Sequence, residues 1–223
     1  MNKPVENRRL TLLVASSDPV YGRALATALA AHGDIEILGE ASNTDEMVAL
    51  LDLDPEFVVV ALPLGLATDW DAISKTSSRT TVLVLGPEEE ATMIPALEAG
   101  AQGYLFTEAS FIEIGHAIRS VSAGTPLVPP TMLGSLLRHV VRVRRQELRA
   151  RERLEILTNR ELQIFRLVAK GLDKHGIAQA LFISPATART HIQNILTKLG
   201  LHSQIEIVAL ASQCGIDVGG GNG

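Results

Sequence analysis

The first half of the chain repeats one pattern: a short apolar run, then a mixed stretch with helical spacing. Strand-sized runs fall at 10–15, 35–40, 57–62, 81–85 and 103–106. Two of them, FVVVAL and TVLVL, have almost no polar interruption, as strands covered on both faces require. Between the runs, Pro19 to Ala31 carries Leu25 and Leu29 one turn apart, and Gly33 fits a helix end. Asn43 or Thr44 caps a helix ending near Leu53. Ile94 to Ala99 is helical and stopped by Gly100, and Ser110 caps a last helix to Ala123. This alternation predicts an α/β doubly wound, parallel five-stranded sheet of flavodoxin-like type over residues 8–126.

The pattern then changes. GTPLVPP, from Gly124, cannot continue a helix, because proline lacks the backbone donor and clashes with the preceding turn. Met132 to Leu154 reads as a helix carrying Arg138, Arg142, Arg144, Arg145, Arg149, Arg151 and Arg153. Residues 127–153 are therefore expected to be an Arg-rich helical linker with a solvated face; contact with a DNA backbone is the functional alternative. Residues 154–216 read as a small all-α domain. Thr158 and Glu161 have capping-box spacing, and helices follow over 159–170 and 174–181. Ser184 caps another, with Pro185 at its first position and Gly200 as its stop. Ser203 opens a last helix to about Gln213, and 217–223 is expected to be a flexible Gly-rich tail.

Charge supports two domains. Residues 1–130 hold 7 Lys and Arg against 18 Asp and Glu, a net of −11; residues 131–223 hold 13 against 7, a net of +6. A basic half points to nucleic acid as a partner. No apolar run approaches a membrane span, and the start MNKPVENRRL lacks a signal-peptide core. The single cysteine, Cys214, excludes an internal disulfide and a cysteine zinc cluster. A cytoplasmic protein with no membrane association is expected. The six histidines, among them His116, His139, His175, His191 and His202, show no metal spacing, and neither a metal nor a cofactor is expected. Neither G-x-G-x-x-G nor G-x-x-x-x-G-K-[ST] occurs, which argues against a nucleotide-binding enzyme.

Winding 185–199 at 100° per residue puts Ala188, Ile192, Ile195, Leu196 and Leu199 on one side. Ala186, Thr190, Gln193, Asn194 and Thr197 fall opposite, with Arg189 at the border and no acid among them. Such a surface suits a major groove, where Arg pairs with guanine edges and Gln with adenine edges. Thr187 and Lys198 flank it and suit phosphates, which position without specifying sequence.

These residues also carry a resemblance. Leu157 to Ala211, LTNRELQIFRLVAKGLDKHGIAQALFISPATARTHIQNILTKLGLHSQIEIVALA, resembles the LuxR/NarL-type helix-turn-helix over its whole length. The match includes Leu157-Thr158-x-Arg160-Glu161, Gly171-Leu172, Ile177-Ala178, Ser184-Pro185-x-Thr187, Thr190-His191 and Leu196-x-Lys198-Leu199. It implies that Arg189, Thr190 and Gln193 face bases. Ser184, Thr187, Asn194 and Lys198 would face phosphates, and Ile205, Val208 and Ala209 would lie on a dimerisation helix. Lys174-His175-Gly176 departs from the family's usual Asn-Lys-Glu. Gly176 should weaken its helix by roughly 1 kcal/mol against a good helix former.

The first half resembles the receiver domain of the same response regulators, in the order of its elements and in DIEILGEASNTDEMVALL, PEFVVV, ALEAGAQGYL and AIRSVSAG. A working receiver holds Mg²⁺ on two acids after its first strand. It has a phosphoacceptor Asp after the third, Thr or Ser after the fourth and Lys after the fifth. On this resemblance those positions fall on Ser16, Ser17, Ala61, Gly86 and Thr107, and all five depart. Mg²⁺ is a hard ion that needs carboxylate charge, and Ala61 has no nucleophile. Asp18 follows the pair, and Asp69 and Asp71 read as solvated surface acids. The chain thus reads as an atypical response regulator that binds double-stranded DNA as a homodimer without Asp phosphorylation. The receiver would be a constitutive dimerisation module, or a site where a small ligand or regulatory protein binds a small neutral pocket; control by protein level alone is the third reading. A non-DNA-binding adaptor is the alternative class.

Overall fold

The structure is a computed structural model that describes residues 9–63 and 70–218. The chain divides into two compact units, 1–137 and 138–223.

The first unit is the expected parallel sheet. Its strands are β1 (Leu10–Ser16), β2 (Ile35–Ala41), β3 (Phe57–Ala61), β4 (Thr81–Gly86) and β5 (Gly103–Phe106), in the order β2-β1-β3-β4-β5. All neighbours pair parallel. Helices α1 (Pro19–Ala30), α2 (Thr44–Leu50), α3 (Trp70–Ser77), α4 (Glu90–Glu98) and α5 (Phe111–Ser122) connect and follow them. Because side chains alternate along a strand, one chain run feeds two cores. Leu13, Ala15, Val58, Val60, Val82 and Val84 meet Met47, Ile73 and Met93 of α2, α3 and α4. Leu12, Val14, Val59, Ala61, Leu83 and Leu85 meet Leu25 and Leu29 of α1 and Ile114 and Ile118 of α5. Burial on both faces is why the strands read as continuous apolar runs.

Several expectations need amendment. The helix at 44–53 is α-helical only to Leu50 and ends in a 3-10 turn, Leu51–Leu53. Helix α4 begins at Glu90, four residues before the expected start. Helix α3, which holds Asp71, is a defined element between β3 and β4; Asp69 lies outside the described residues. The segment after Gly124 is not a free connector. Leu127 bridges Gly103 in parallel, the Tyr104 amide donates to the Leu127 carbonyl at 2.8 Å, and Met132 is buried in the core.

The second unit contains α7 (Asn159–Ala169), α8 (Lys174–Leu181), α9 (Pro185–Leu199) and α10 (Gln204–Gln213). They enclose Ile164, Phe165, Ile177, Ala188, Ile192, Ile195, Ile207 and Leu210. The long helix α6 (Leu133–Leu154) follows a 3-10 turn, Pro130–Met132. Near its start Leu136 packs on the first unit's core, and near its end Ala150 and Leu154 belong to the second's. All seven of its arginines are exposed, and two of them also bond carbonyls of the second unit. Arg151 Nε donates to the Cys214 carbonyl at 3.2 Å, and Arg153 donates to the Leu199 carbonyl at 2.9 Å. The latter supplies a cationic donor at the C-terminus of α9, where orphan carbonyls collect. Packing also continues past 216, since Val218 lies against the core; residues 219–223 lie outside the described residues.

Candidate nucleic-acid interface and the strand-end pocket

Helix α9 is shaped at both ends by local chemistry. The Ser184 hydroxyl accepts the Thr187 amide at 3.0 Å, Pro185 occupies the first helical position, and Gly200 adopts φ +64° to end it. The preceding helix α8 is capped by Asp173, whose Oδ1 accepts the Gly176 amide at 2.8 Å. Ala188, Ile192, Ile195, Leu196 and Leu199 are buried as the periodicity predicts. Ala186, Arg189, Thr190, Gln193, Asn194 and Thr197 are exposed, and His191 is half-buried between the two faces.

The exposed polar atoms divide into two kinds. The Thr190 and Thr197 hydroxyls donate back to the carbonyls of Ala186 and Gln193, at 3.1 and 2.9 Å, so they present mainly methyl groups. The Ser184 and Thr187 hydroxyls lie 2.8 Å apart. Among the described residues, no hydrogen bond or ion pair holds the guanidinium of Arg189 or the side-chain amides of Gln193 and Asn194. These three side chains keep their donors for something outside the chain.

Lys198 is different. Its Nζ lies 2.7 Å from Glu161 Oε2, and that carboxylate also accepts the Thr158 amide at 2.9 Å. The Lys198 hydrogen bond, then the Thr158 amide, hold the nearly buried Glu161 down at about 2. The capping box was legible in the sequence, but its third member, 37 residues along the chain, was not. On α10, Ile207, Leu210 and Ala211 face the core, Ile205 is 80% exposed, Val208 is half-buried and Ala209 is exposed.

In the first unit, parallel pairing brings the five strand-end positions together. Ser16 pairs with Ala61 at the end of the β1–β3 ladder, and the Thr107 amide donates to the Gly86 carbonyl at 3.0 Å. This is the strand-order reversal where doubly wound sheets place their ligands. Here the side chains of Ser16, Ser17 and Asp18 are bonded within the protein. Ser16 Oγ lies 3.1 Å from the Asp18 carbonyl, and the Ser17 hydroxyl donates to the Pro63 carbonyl. Asp18 Oδ1 accepts the amides of Val20 and Tyr21 as the cap of α1. Ala61 is buried and adds only a methyl group.

Gly86 has a neighbour that sequence reading missed. A Cβ added there would lie 2.2 Å from the Tyr104 phenol oxygen. Tyr104 is fully buried, and its hydroxyl donates to the Pro87 carbonyl at 2.8 Å. Burial, then the charges of Glu89 and Glu108, push the phenol's pKa up, so it stays a neutral donor. The aromatic ring thus fills the space that a side chain at residue 86 would take. Among the described residues, no group of three or more His, Cys, Asp or Glu is placed to hold a metal ion, and no helix is long and apolar enough to cross a membrane.

Comparison with known proteins agrees with this geometry. The model of the family described as bacterial regulatory proteins, luxR family, matches residues 155–211. The chain is 31% identical over 207 residues to the transcriptional regulatory protein LiaR of Bacillus subtilis (strain 168), covering 91% of this chain and 96% of that protein. It is 30% identical over 197 residues to the response regulator protein VraR of Staphylococcus aureus (strain NCTC 8325 / PS 47), covering 85% of this chain and 90% of that one. Among solved structures, the RcsB response regulator of Salmonella typhimurium is similar in fold, with a TM-score of 0.52 at 17% identity, covering 92% of this chain and 100% of that one.

Proposed function

This chain belongs to the LuxR family of response regulators and is a DNA-binding transcription regulator, and from that premise we propose that it reads its operator through α9 without phosphorylation of an aspartate. The observation that carries the proposal is Ala61 at the end of β3, buried and paired with Ser16. In-line phosphoryl transfer needs a nucleophile and counter-charges at that place. Its neighbours Ser16, Ser17, Gly86 and Thr107 supply no carboxylate for Mg²⁺ and no ammonium for a phosphoryl group.

On α9, Arg189, Thr190 and Gln193 face base edges, while Ser184, Thr187 and Asn194 face phosphates. Lys198 borders the same face; its side chain is 40% exposed, so a phosphate would share its ammonium with Glu161. Two copies bind together, paired through the exposed Ile205, Val208 and Ala209 side of α10. This places two recognition helices in successive major grooves about one turn apart. The receiver acts as a constitutive packing and dimerisation module. The phenol of Tyr104 beside Gly86 favours this over a small ligand in the strand-end pocket, because the space is already taken.

The test is binding of the full-length protein to promoter fragments selected from genomic DNA, at two salt concentrations, with the mass of the complex measured in solution. The expected result is salt-dependent binding of two protomers per site. An adaptor that does not bind DNA would show no salt-dependent affinity, and one protomer per site would remove the α10 pairing.

A further inference from the structure

The turn between α8 and α9 contains an anomaly. In the second unit, the chain leaves α7, α9 and α10 through Gly171, Gly200 and Gly215, at φ +82°, +64° and +66°. Glycine is the usual choice there, because a Cβ in the left-handed region meets the following carbonyl. Helix α8 makes the same kind of exit with Phe182, at φ 55° and ψ 46°. Its amide bonds back toward Gln179, and the next amide, of Ile183, donates to the Ala178 carbonyl at 3.0 Å. The turn is therefore a regular helix ending, built on a residue that disfavours it.

The Phe182 ring is also 96% exposed, the most of any large apolar side chain among the described residues. It contributes nothing to the core, whereas its neighbours Leu181 and Ile183 pack against it. Folding alone thus gives no reason for a benzyl group here, and glycine would serve better on both counts. Strain of this kind, held in place by its surroundings, concentrates where a side chain must be presented. The surroundings do hold it: Arg160 of α7 donates to the Leu181 carbonyl at 3.0 Å, and Ser184 begins the cap of α9 two residues later.

We propose that Phe182 is a further DNA-contacting residue, which lays its ring on the apolar surface of the duplex beside the groove that α9 enters. This rests on the assignment of α9 to the major groove. Ser184 and Thr187 lie at the phosphate edge of that groove, and the chain reaches them directly from Phe182. A phenyl ring has no hydrogen bond to offer a phosphate, so its partners there are deoxyribose carbons or a thymine methyl. The contact adds affinity without adding a charge contact.

The experiment compares wild type, Phe182→Gly, Phe182→Tyr and Arg189→Ala, all full length, on a selected operator and a scrambled duplex at two salt concentrations. Phe182→Gly should bind the operator about tenfold more weakly, the scale of losing part of one aromatic side chain's burial. Its salt slope should stay that of wild type, because no phosphate contact is lost. Its melting temperature should hold or rise, so the loss is not unfolding, and Phe182→Tyr should keep wild-type affinity. An equal loss on both duplexes assigns the sugars; a loss abolished by replacing thymine with uracil assigns the methyl group. Wild-type affinity of Phe182→Gly, with Arg189→Ala impaired, overturns the role of Phe182 and leaves the α9 reading standing. Impairment of neither variant overturns both. Unchanged DNA affinity with lost transcription would move Phe182 to a protein contact and likewise overturn the proposal.

Discussion

The α9 face and the carboxyl end of the sheet are both places where a protein of this family meets a ligand, yet this chain treats them in opposite ways. On α9, Arg189, Gln193 and Asn194 project from a well-packed helix with their hydrogen-bonding groups uncommitted within the described chain. At the strand ends, Ser17 bonds the Pro63 carbonyl, Asp18 bonds the first amides of α1, and Tyr104 bonds the Pro87 carbonyl across Gly86. A surface that waits for a partner leaves polar atoms unsatisfied by the protein. At the strand ends these polar atoms find partners within the protein instead, and the buried Ser16 and Tyr104 hydroxyls so avoid the cost of a buried group without a bond. The scaffold around both is equally well built, so fold alone does not say which of them is used.

The effect that would break this comparison most directly is expected at Arg189. Arg189→Ala should cost about 1–3 kcal/mol in operator affinity and relax base preference at one position. Titration against operators varied one base pair at a time reads both effects, and uniform weakening on every sequence would move Arg189 to the phosphate set. At the strand ends the expected damage is to folding. Gly86→Ala brings its methyl within 2.2 Å of the Tyr104 oxygen and should destabilise the first unit by about 1–3 kcal/mol through overpacking. Denaturant melts should show the loss, and trimming the ring by Tyr104→Leu in the same chain should recover part of it. Additive losses would mean that Tyr104 does not fill that space.

Lys198 lies between the two cases. Lys198→Met should leave the buried Glu161 carboxylate without its cation and cost about 1–3 kcal/mol of stability. It should also lower the salt slope of DNA binding by about one if the ammonium reaches a phosphate. A changed melt with an unchanged slope would make the residue purely structural. The same pair predicts a pH effect. Glu161 sits at about 2 against an ordinary 4.5, so its contribution is present above 4.5 and lost as the pH falls from 4.5 towards 2. Acid melts of wild type should therefore lose more stability over that window than those of Lys198→Met, and parallel curves would refute the coupling. The smallest effect is a gain. A Cβ at Gly176 meets Asp173 and Leu172 at an ordinary 3.5 Å, so Gly176→Ala should stabilise the second unit by about 0.5–1 kcal/mol. A lower melting temperature would show that the glycine is needed for another reason.

The contrast also explains which parts were legible in the sequence. Strands buried on both faces announce themselves as apolar runs, helix α5 through its Ser110 cap and helix α7 through the Thr158–Glu161 capping box. Burial along α9 followed from its period. Helix α3 was not resolved as a helix, because its core face is only Ala72, Ile73 and Thr76. The start of α4 was missed because its first turn, Glu90 to Met93, carries one buried side chain. What resisted prediction in both sites was long-range pairing. Lys198 with Glu161 and Tyr104 with Gly86 are contacts between elements separate in the chain, and no local pattern encodes them. A phenylalanine strained at the end of α8 likewise reads in the sequence as one more apolar residue.

The most direct test of the central claim uses the full-length protein with Mg²⁺, with and without acetyl phosphate, measuring operator affinity and intact mass on the same samples. The same affinity in both and no added phosphoryl group are expected. A phosphoryl adduct accompanied by tighter operator binding would contradict that claim, and would mean that a carboxylate elsewhere in the chain has taken over the chemistry.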